Sequence, residues 1–177
     1  MKNIVLGITG SIAAYKAADI ANILTKEGND VHTIMTPAAE KFITPLTLQT
    51  LTKNKVHTDM FSLDKPEEVE HIALATRADI MLIAPASADI IAKIACGIAD
   101  SMLTSVVLAL KSTPVIVCPA MNTAMYENTV TQRNINTLRE LGFDIVEPRE
   151  AMLACGTKGK GALADIDTII EAVHKYM

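Results

Sequence analysis

Aromatic residues are scarce in this 177-residue chain. They make up 3% of the sequence and tryptophan is absent, whereas half of the residues are hydrophobic. The core must therefore be built from aliphatic side chains, mainly those of Ile, Leu, Val, Ala and Met. The length suits one domain of ordinary size, so we expect residues 1–177 to form a single domain.

Long runs of one residue type are also missing. No extended Lys/Arg run occurs and the formal net charge is −4, which argues against a nucleic-acid-binding surface. A transmembrane helix is not expected, because no stretch of about 18 uninterrupted apolar residues exists. The apolar run that starts at Ile4 is cut by Gly7 and Gly10, so it makes a poor signal peptide.

Cysteine is rare and widely spaced. Cys96, Cys118 and Cys155 are odd in number and form neither a CxxC pair nor a zinc pattern, so no metal site is expected. A reducing, cytoplasmic compartment is the simplest interpretation.

The chain does contain a regular alternation of short apolar runs and helical patterns. Strands are predicted at residues 3–8, 31–35, 79–84, 114–118 and 143–146. Helices are predicted at 12–26, 88–96, 100–110, 129–141 and 165–176, with short ones starting at Thr36-Pro37 and Thr44-Pro45. Residues 53–70 are predicted to be mostly loop, with a helix start. Apolar strands between helices indicate an α/β fold, a three-layer doubly wound parallel sheet of Rossmann-like or flavodoxin-like type.

Two predicted strand ends carry residues suited to hold a phosphate. Gly7 to Ser11 joins the first strand to the first helix, and a helix start after glycines presents free N–H groups to an anion. The loop is neither GxGxxG nor a Walker loop, and it fits one phosphate better than a pyrophosphate. Ser11 either caps the helix or donates to the phosphate, and the same alternatives hold for Thr36 at the end of the second strand.

The two later apolar strands also end in distinctive residues. Pro85 to Ala88 are small, so they either admit a flat ring or serve close helix–strand packing. Asn122 follows the strand at 114–118, where open α/β sheets place ligand chemistry. Asn122 is either a helix N-cap or the ligand of an anionic oxygen. In the second case, the polarizable side chains of Met121 and Met125 would line the site.

Several motifs together resemble the homo-oligomeric flavin-containing cysteine decarboxylases. The motifs are Gly7 to Lys16, His71-Ile72, Ala84 to Ala88, Lys93 to Thr104, Pro119 to Met125, and Leu153 to Gly156 followed by Gly159 and Gly161. Each motif alone is weakly specific. Together they cover nearly the whole chain, in the order and spacing of that family.

The resemblance implies an FMN cofactor and a homo-oligomer, a trimer or a dodecamer, with active sites between subunits. Its small-molecule substrate would be 4′-phosphopantothenoylcysteine, decarboxylated to 4′-phosphopantetheine in coenzyme A biosynthesis. The implied cofactor-binding residues are Gly10, Ser11, Thr36, Phe42, Pro85, Ala86, Ser87, Ala88 and Ala120. The implied catalytic residues are His71 and Cys155, and the implied substrate-binding residues are Met121, Asn122 and Ala154.

The implied chemistry is a redox-neutral decarboxylation. Oxidation of the substrate's Cβ–S unit to a thioaldehyde places an electron sink beside the departing carboxylate, and CO₂ loss leaves an enethiol that is then reduced. His71 would assist the oxidative half and CO₂ loss, Asn122 would hold the carboxylate, and Cys155 would protonate the enethiolate. His32, His57 and His174 are expected to be structural.

Three positions depart from the family pattern. Asp89-Ile90 stands where Asn-Thr is common, Tyr126 where Trp is common, and Gly161-Ala162-Leu163 where Gly-Arg-Met is common. Bacterial members are often fused to a synthetase domain, and since the chain ends at Met177 no ligase activity is expected.

Three other functions are alternatives. A peptidyl-cysteine decarboxylase forms an enethiol and needs no final reduction, so Cys155 argues against it. A flavin prenyltransferase shares the phosphate loop, but the Pro-Ala-Met-Asn motif argues against that activity. A flavin-binding regulatory subunit is not expected, because His71, Asn122 and Cys155 are all present.

Overall fold

The computed structural model describes residues 1–61, 69–152, 156 and 158–177. Its strands are β1 (Asn3–Ile8), β2 (Asp30–Met35), β3 (Val56–His57), β4 (Ile80–Ala86), β5 (Val115–Pro119), β6 (Asp144–Ile145), β7 (Arg149–Met152) and β8 (Lys158–Ala162). Its α-helices are α1 (Lys16–Lys26), α2 (Pro45–Thr52), α3 (Glu70–Arg77), α4 (Ala88–Ala95), α5 (Met102–Ala109), α6 (Thr123–Glu127), α7 (Thr129–Glu140) and α8 (Ile166–His174). Short 3₁₀ turns cover Ile12–Tyr15 and Ala39–Lys41.

The central sheet is parallel throughout. Its six strands lie in the order β3-β2-β1-β4-β5-β6, and each neighbouring pair is parallel. This order reverses direction between β1 and β4, which is the topological switch point of a Rossmann-like sheet. The predicted α/β doubly wound fold is therefore confirmed.

Two aliphatic layers cover the sheet, one on each face. Alternate residues of β1 divide between them, with Ile4, Leu6 and Ile8 on one side and Val5 on the other. The first layer is filled by α1, α2 and α8, and the second by α3, α4, α5 and α7. Because buried aromatic side chains are few, these layers hold the sheet through Ile, Leu, Val, Ala and Met, as the composition predicts.

Helix ends follow the local sequence closely. Gly28 and Gly142 have φ values of +86° and +87°, a left-handed conformation that ends α1 and α7 where glycine was expected to stop them. Pro45 opens α2 after Thr44, as predicted. Within the described residues, no helix has both the length and the apolarity needed to span a bilayer.

Two features differ from the sequence prediction. The segment predicted to be mostly loop contains the edge strand β3, whose Thr33–Val56 and Ile34–His57 pairs extend the sheet beyond β2. Residues 149–152 and 158–162 form an antiparallel hairpin, β7 and β8, separate from the main sheet. Both were missed because the strands are very short or largely exposed, so neither shows an apolar period.

Candidate functional site

A cavity of about 890 Å³ opens at the carboxyl ends of β1, β2, β4 and β5. Its walls come from the loops after these four strands and from the β7–β8 hairpin. The loops after β1 and β4 diverge here because the strand order reverses between them, as in other doubly wound sheets with a ligand at the switch point. The volume lies within the usual range for small-molecule sites, roughly 300–1,000 Å³.

Thr9 ties the loops after β1 and β4 together. Its hydroxyl donates to the Pro85 carbonyl at 2.7 Å and accepts from the Ser87 N–H at 2.9 Å. Thr9 is 1% exposed, so the bond to Pro85 is shielded from water and the bond from Ser87 partly so. Sequence reasoning missed this role, since a threonine in a glycine-rich loop gives no sign of its partner 76 residues away.

The three residues predicted on the phosphate side lie together on the cavity wall. Gly10 packs so closely on Ala38 that an added Cβ would come 2.5 Å from the Ala38 Cβ. Ser11 Oγ accepts from the Ala13 N–H at 3.3 Å, and Thr36 Oγ1 accepts from the Ala39 N–H at 3.3 Å. The capping alternative is therefore confirmed for Ser11, whereas the turn after Thr36 starts at Ala39 with Ala38 as its N-cap, and both Ser11 and Thr36 line the cavity.

The predicted flavin-contacting residues divide into two groups. Phe42, Ser87, Ala88 and Ala120 line the cavity, and Ser87 also caps α4 by accepting from the Ile90 N–H at 3.4 Å. Pro85 and Ala86 do not line it, because they are buried in β4. The Pro85 carbonyl accepts from Thr9 Oγ1, and the Ala86 carbonyl accepts from the Ala120 N–H. Both residues therefore hold cavity-lining loops in place without lining the cavity themselves.

Asn122 lies at the start of α6 and lines the cavity together with Met121. Its Oδ1 accepts from the Ala124 N–H at 2.9 Å, so the predicted N-cap role is confirmed. Met125, one turn further on, also lines the cavity with half of its surface exposed. The cap holds the carboxamide at the cavity edge, where a carboxamide nitrogen can donate to an anionic oxygen.

The β7–β8 hairpin closes one side of the cavity and was not predicted. Arg149, Ala151, Met152, Ala162 and Leu163 line the site from this hairpin and the residue after it. The glycines at 156, 159 and 161 were the available signal, since such a spacing is unusual in a helix. The predicted site residues Ala154 and Cys155 fall outside the described residues.

His71 is the second residue of α3, and it is not among the residues that line this cavity. It is half-buried, and Glu70 beside it is fixed by His57 Nδ1 at 2.8 Å and Lys55 Nζ at 3.2 Å. A single chain therefore does not bring His71 together with Asn122.

The other histidines have structural surroundings. Nε2 of His32 lies 3.1 Å from Asp30, and Nε2 of His174 lies 3.0 Å from Glu27. Burial holds the pKa of His57 below its usual value, against the opposing effect of Glu70. None of the three lines the cavity.

Positive charge lines the cavity more than negative charge. Of the charged residues that the structure describes, Lys16, Lys93, Arg149 and one carboxylate, Asp89, lie on its walls. Lys93 Nζ pairs with Asp100 at 3.0 Å and Asp89 at 3.4 Å, and the Asp100 bond raises the lysine pKa. Among the described residues, no cluster of three or more His, Cys, Asp or Glu side chains could hold a metal ion. The site is thus suited to an anionic organic ligand.

Two sequence relatives cover this chain almost completely. The probable phosphopantothenoylcysteine decarboxylase of Streptococcus mutans is 51% identical over 177 residues, 99% of each chain. The coenzyme A biosynthesis bifunctional protein CoaBC of Bacillus subtilis is 42% identical over 175 residues. That match takes in 99% of this chain but 43% of CoaBC, so the chain spans less than half of the bifunctional relative.

Solved structures of cysteine decarboxylases are also similar to this chain. A Cys-to-Ser mutant of PPC decarboxylase complexed with pantothenoylaminoethenethiol superposes with a TM-score of 0.89 at 33% identity, covering 99% of this chain and 97% of the other. The FMN-dependent cysteine decarboxylase SpaF gives a TM-score of 0.83 at 32% identity, with 98% of both chains covered. The family model described as Flavoprotein matches residues 1–177. The resemblance drawn from the motifs is confirmed, and this chain belongs to the Flavoprotein family.

Proposed function

We propose that this chain binds FMN and uses it to decarboxylate 4′-phosphopantothenoylcysteine to 4′-phosphopantetheine in coenzyme A biosynthesis. The observation that carries the proposal is one cavity that joins the Gly10–Ser11 loop and Thr36 to the Asn122 carboxamide. A loop suited to bind a phosphate and a carboxamide suited to donate to a carboxylate therefore line the same cavity. The full-length match to a probable phosphopantothenoylcysteine decarboxylase supports this substrate.

The residues present fit a flavin mononucleotide. Gly10 approaches Ala38 too closely to carry a side chain, and it lies on the cavity wall just before the first helical turn, where backbone N–H groups are suited to an anion. Ser11 and Thr36 add hydroxyls, while Phe42, Ala88 and Ala120 offer an apolar wall for the ring system. When bound there, FMN supplies the hydride acceptor that protein side chains lack.

Asn122 is the residue proposed to hold the substrate carboxylate. Its position is fixed by the cap on Ala124 and by α6, so the carboxamide does not need to be ordered when the substrate binds. Met121 lies beside it and gives the substrate a soft apolar contact. Held in this way, the carboxylate leaves as CO₂ once the neighbouring Cβ–S unit has become a thioaldehyde.

Two groups are proposed to move protons. The His71 imidazole is suited to accept the proton that the substrate thiol loses during oxidation of the Cβ–S unit. The Cys155 thiol would supply the proton that, together with the hydride returned from reduced FMN, converts the enethiolate into the saturated thiol. Ala154, next to it, would contact the substrate.

A second copy of the chain would complete the site. His71 does not line the cavity of its own chain, and two exposed apolar residues are close to it in sequence, Val69 at the N-cap of α3 and Ile72 on its first turn. An oligomer that buries this surface would bring His71 of one protomer to the cavity of another. We therefore propose a homo-oligomer, a trimer or a dodecamer, of single-domain subunits in the cytoplasm.

The first experiment identifies the cofactor and the substrate. Flavin is released from one sample of the purified protein and identified by mass spectrometry, and CO₂ is measured with two candidate substrates on a second, FMN-loaded sample. We expect FMN, and CO₂ from 4′-phosphopantothenoylcysteine but not from a peptide with a C-terminal cysteine. A protein that takes up no FMN contradicts the proposal, and CO₂ from the peptide alone favours a peptidyl-cysteine decarboxylase.

A further inference from the structure

One carboxylate connects three elements at the base of the β7–β8 hairpin. Glu147 lies between β6 and β7, and its Oε2 accepts from the Tyr126 hydroxyl at 2.7 Å and from Lys160 Nζ at 2.8 Å. Its Oε1 accepts from the Arg139 guanidinium. Tyr126 belongs to α6, Arg139 to α7 and Lys160 to β8. We call these four residues the Glu147 hub.

The hub is charged and formed at neutral pH. Partial burial opposes ionisation of Glu147, but hydrogen bonds from Lys160 and Tyr126 hold its pKa below the usual range. Burial and the nearby carboxylate raise the pKa of Tyr126, so its hydroxyl remains a donor. Lys160 Nζ also lies 5.4 Å from the centroid of the Tyr126 ring, within range of a cation–π contact.

Tyr126, one member of the hub, is linked to Asn122 through helix α6. Helix α6 has five residues, too few for a helix to be stable without tertiary contacts, and Asn122 is its N-cap. The Tyr126 N–H donates to the Asn122 carbonyl at 2.9 Å, and the Tyr126 ring is 5% exposed. The direction of α6, and so of its cap residue, is therefore set by where Tyr126 is held.

Lys160, on β8, is linked to Asn122 through the hairpin backbone. The Met121 N–H donates to the Gly161 carbonyl at 2.9 Å, which joins β8 to the residue before Asn122. Gly161 has a φ of +146°, and a Cβ there would collide with the Met121 carbonyl oxygen. The two backbone segments are thus in close contact at this point, and Lys160 is adjacent to Gly161.

We propose that the Glu147 hub positions Asn122, by fixing α6 on one side and β8 on the other. This inference rests on the proposed function, in which Asn122 holds the substrate carboxylate. Glu147, Tyr126 and Lys160 do not line the cavity, so they are positioning residues and not catalytic ones. The hub explains why an exposed hairpin carries a lysine that points back at a buried tyrosine.

Tyr126→Phe is the sharpest test, because it removes the hydroxyl and keeps the buried ring. We expect kcat/KM for 4′-phosphopantothenoylcysteine to fall by about tenfold, because a small displacement of a positioned group is costly to the reaction. FMN affinity is expected to stay within about twofold, because the phosphate-side residues lie on other loops. Glu147→Gln is expected to act in the same direction, and the double variant to be less than additive.

Glu150→Gln is the matched control. Glu150 is an exposed carboxylate on the same hairpin, 3.8 Å from Lys158, and it does not line the cavity. We expect it to leave kcat/KM unchanged. If it lowers activity as much as Glu147→Gln, or if Tyr126→Phe lowers FMN affinity and thermal stability in proportion to activity, the positioning role is contradicted.

Hydrogen exchange tests the hub without relying on the substrate. The Met121 and Ala124 amides donate to Gly161 and to the Asn122 side chain, so their exchange reports the position of Asn122. We expect faster exchange at both amides in Tyr126→Phe and unchanged exchange in Glu150→Gln. Unchanged exchange in Tyr126→Phe overturns the inference, whereas failure of the wild-type protein to release CO₂ overturns the proposed function and leaves this result standing.

Discussion

Thr9 and Pro85, 76 positions apart in sequence, are joined by a buried hydrogen bond of 2.7 Å from the Thr9 hydroxyl to the Pro85 carbonyl. Through it, the loops after β1 and β4 form a single unit at the point where the sheet reverses its strand order. The residues proposed to hold the flavin phosphate and those proposed to face its ring are therefore held at a fixed spacing.

Replacing Thr9 with valine tests this link. The change keeps the side-chain shape but leaves the Pro85 carbonyl and the Ser87 N–H without their partner, at a cost of about 1–3 kcal/mol in the free energy of unfolding. We expect weaker FMN binding as well, measured by flavin fluorescence, and a lower melting temperature.

Thr25→Val is the control for Thr9→Val. Within the described residues, the buried Thr25 hydroxyl has no hydrogen-bond partner, so its loss is expected to cost little. Equal destabilisation by the two substitutions would contradict the importance of the Thr9 bonds.

Gly10→Ala tests the proposed phosphate site formed by Gly10, Ser11 and Thr36. The added methyl group would lie 2.5 Å from the Ala38 Cβ, so one of the two loops must move. We expect FMN affinity to fall by at least about tenfold, since a shift of this loop removes backbone donors from the phosphate. Adding Ala38→Gly removes the clashing carbon and should restore part of the affinity. If Gly10→Ala alone leaves the FMN affinity unchanged, the phosphate does not bind at this site.

Mixed oligomers test whether the site is shared between subunits. We expect His71→Asn and Asn122→Asp to be inactive separately, with FMN still bound to each. When the two variants are unfolded and refolded together, some sites combine an intact His71 with an intact Asn122, and decarboxylation should return in part. No recovery in a mixture that size-exclusion chromatography shows to be oligomeric would contradict a shared site.

Stability is expected to decrease in mild acid because of His57. Burial lowers its pKa in the folded protein, although Glu70 opposes this, and Lys55 and His32 are the other charged neighbours. Below the unfolded pKa of about 6.5, the unfolded chain binds more protons than the folded one, so stability falls as the pH drops through this value. Urea unfolding between about pH 7.5 and pH 5.5 measures the slope. His57→Gln should flatten it, and an equally steep slope in that variant would assign the effect elsewhere.

The sequence predicted the parts of the fold that depend on local patterns. β1, β4 and β5 are apolar runs long enough to be recognised, and Gly28 and Gly142 end their helices through a conformation that glycine favours. β3 and the β7–β8 hairpin were missed, because a two-residue edge strand and an exposed, charged hairpin bury too little to show an apolar period. Long-range bonds such as Thr9 to Pro85 follow from the assembled sheet and have no local signature.

The candidate site was predictable to a similar extent. Gly10, Ser11, Thr36 and Asn122 were recognised because each follows a predicted strand, and parallel strands bring such positions to one edge. Pro85 and Ala86 were assigned to the flavin from the family motif, but every residue of β4 is buried, because the strand is central in a sheet covered on both faces. His71 was assigned from its motif alone, and it does not line the cavity of its own chain, so its proposed role depends on the proposed oligomer.

Product analysis with 4′-phosphopantothenoylcysteine tests the central claim most directly. With FMN-loaded wild-type protein, we predict equal amounts of CO₂ and the saturated thiol 4′-phosphopantetheine. With Cys155→Ser, we predict CO₂ and a product lighter by one pair of hydrogen atoms, the unreduced enethiol. If the FMN-loaded wild-type protein releases no CO₂, or if Cys155→Ser forms the saturated thiol as fast as the wild type, the account is contradicted.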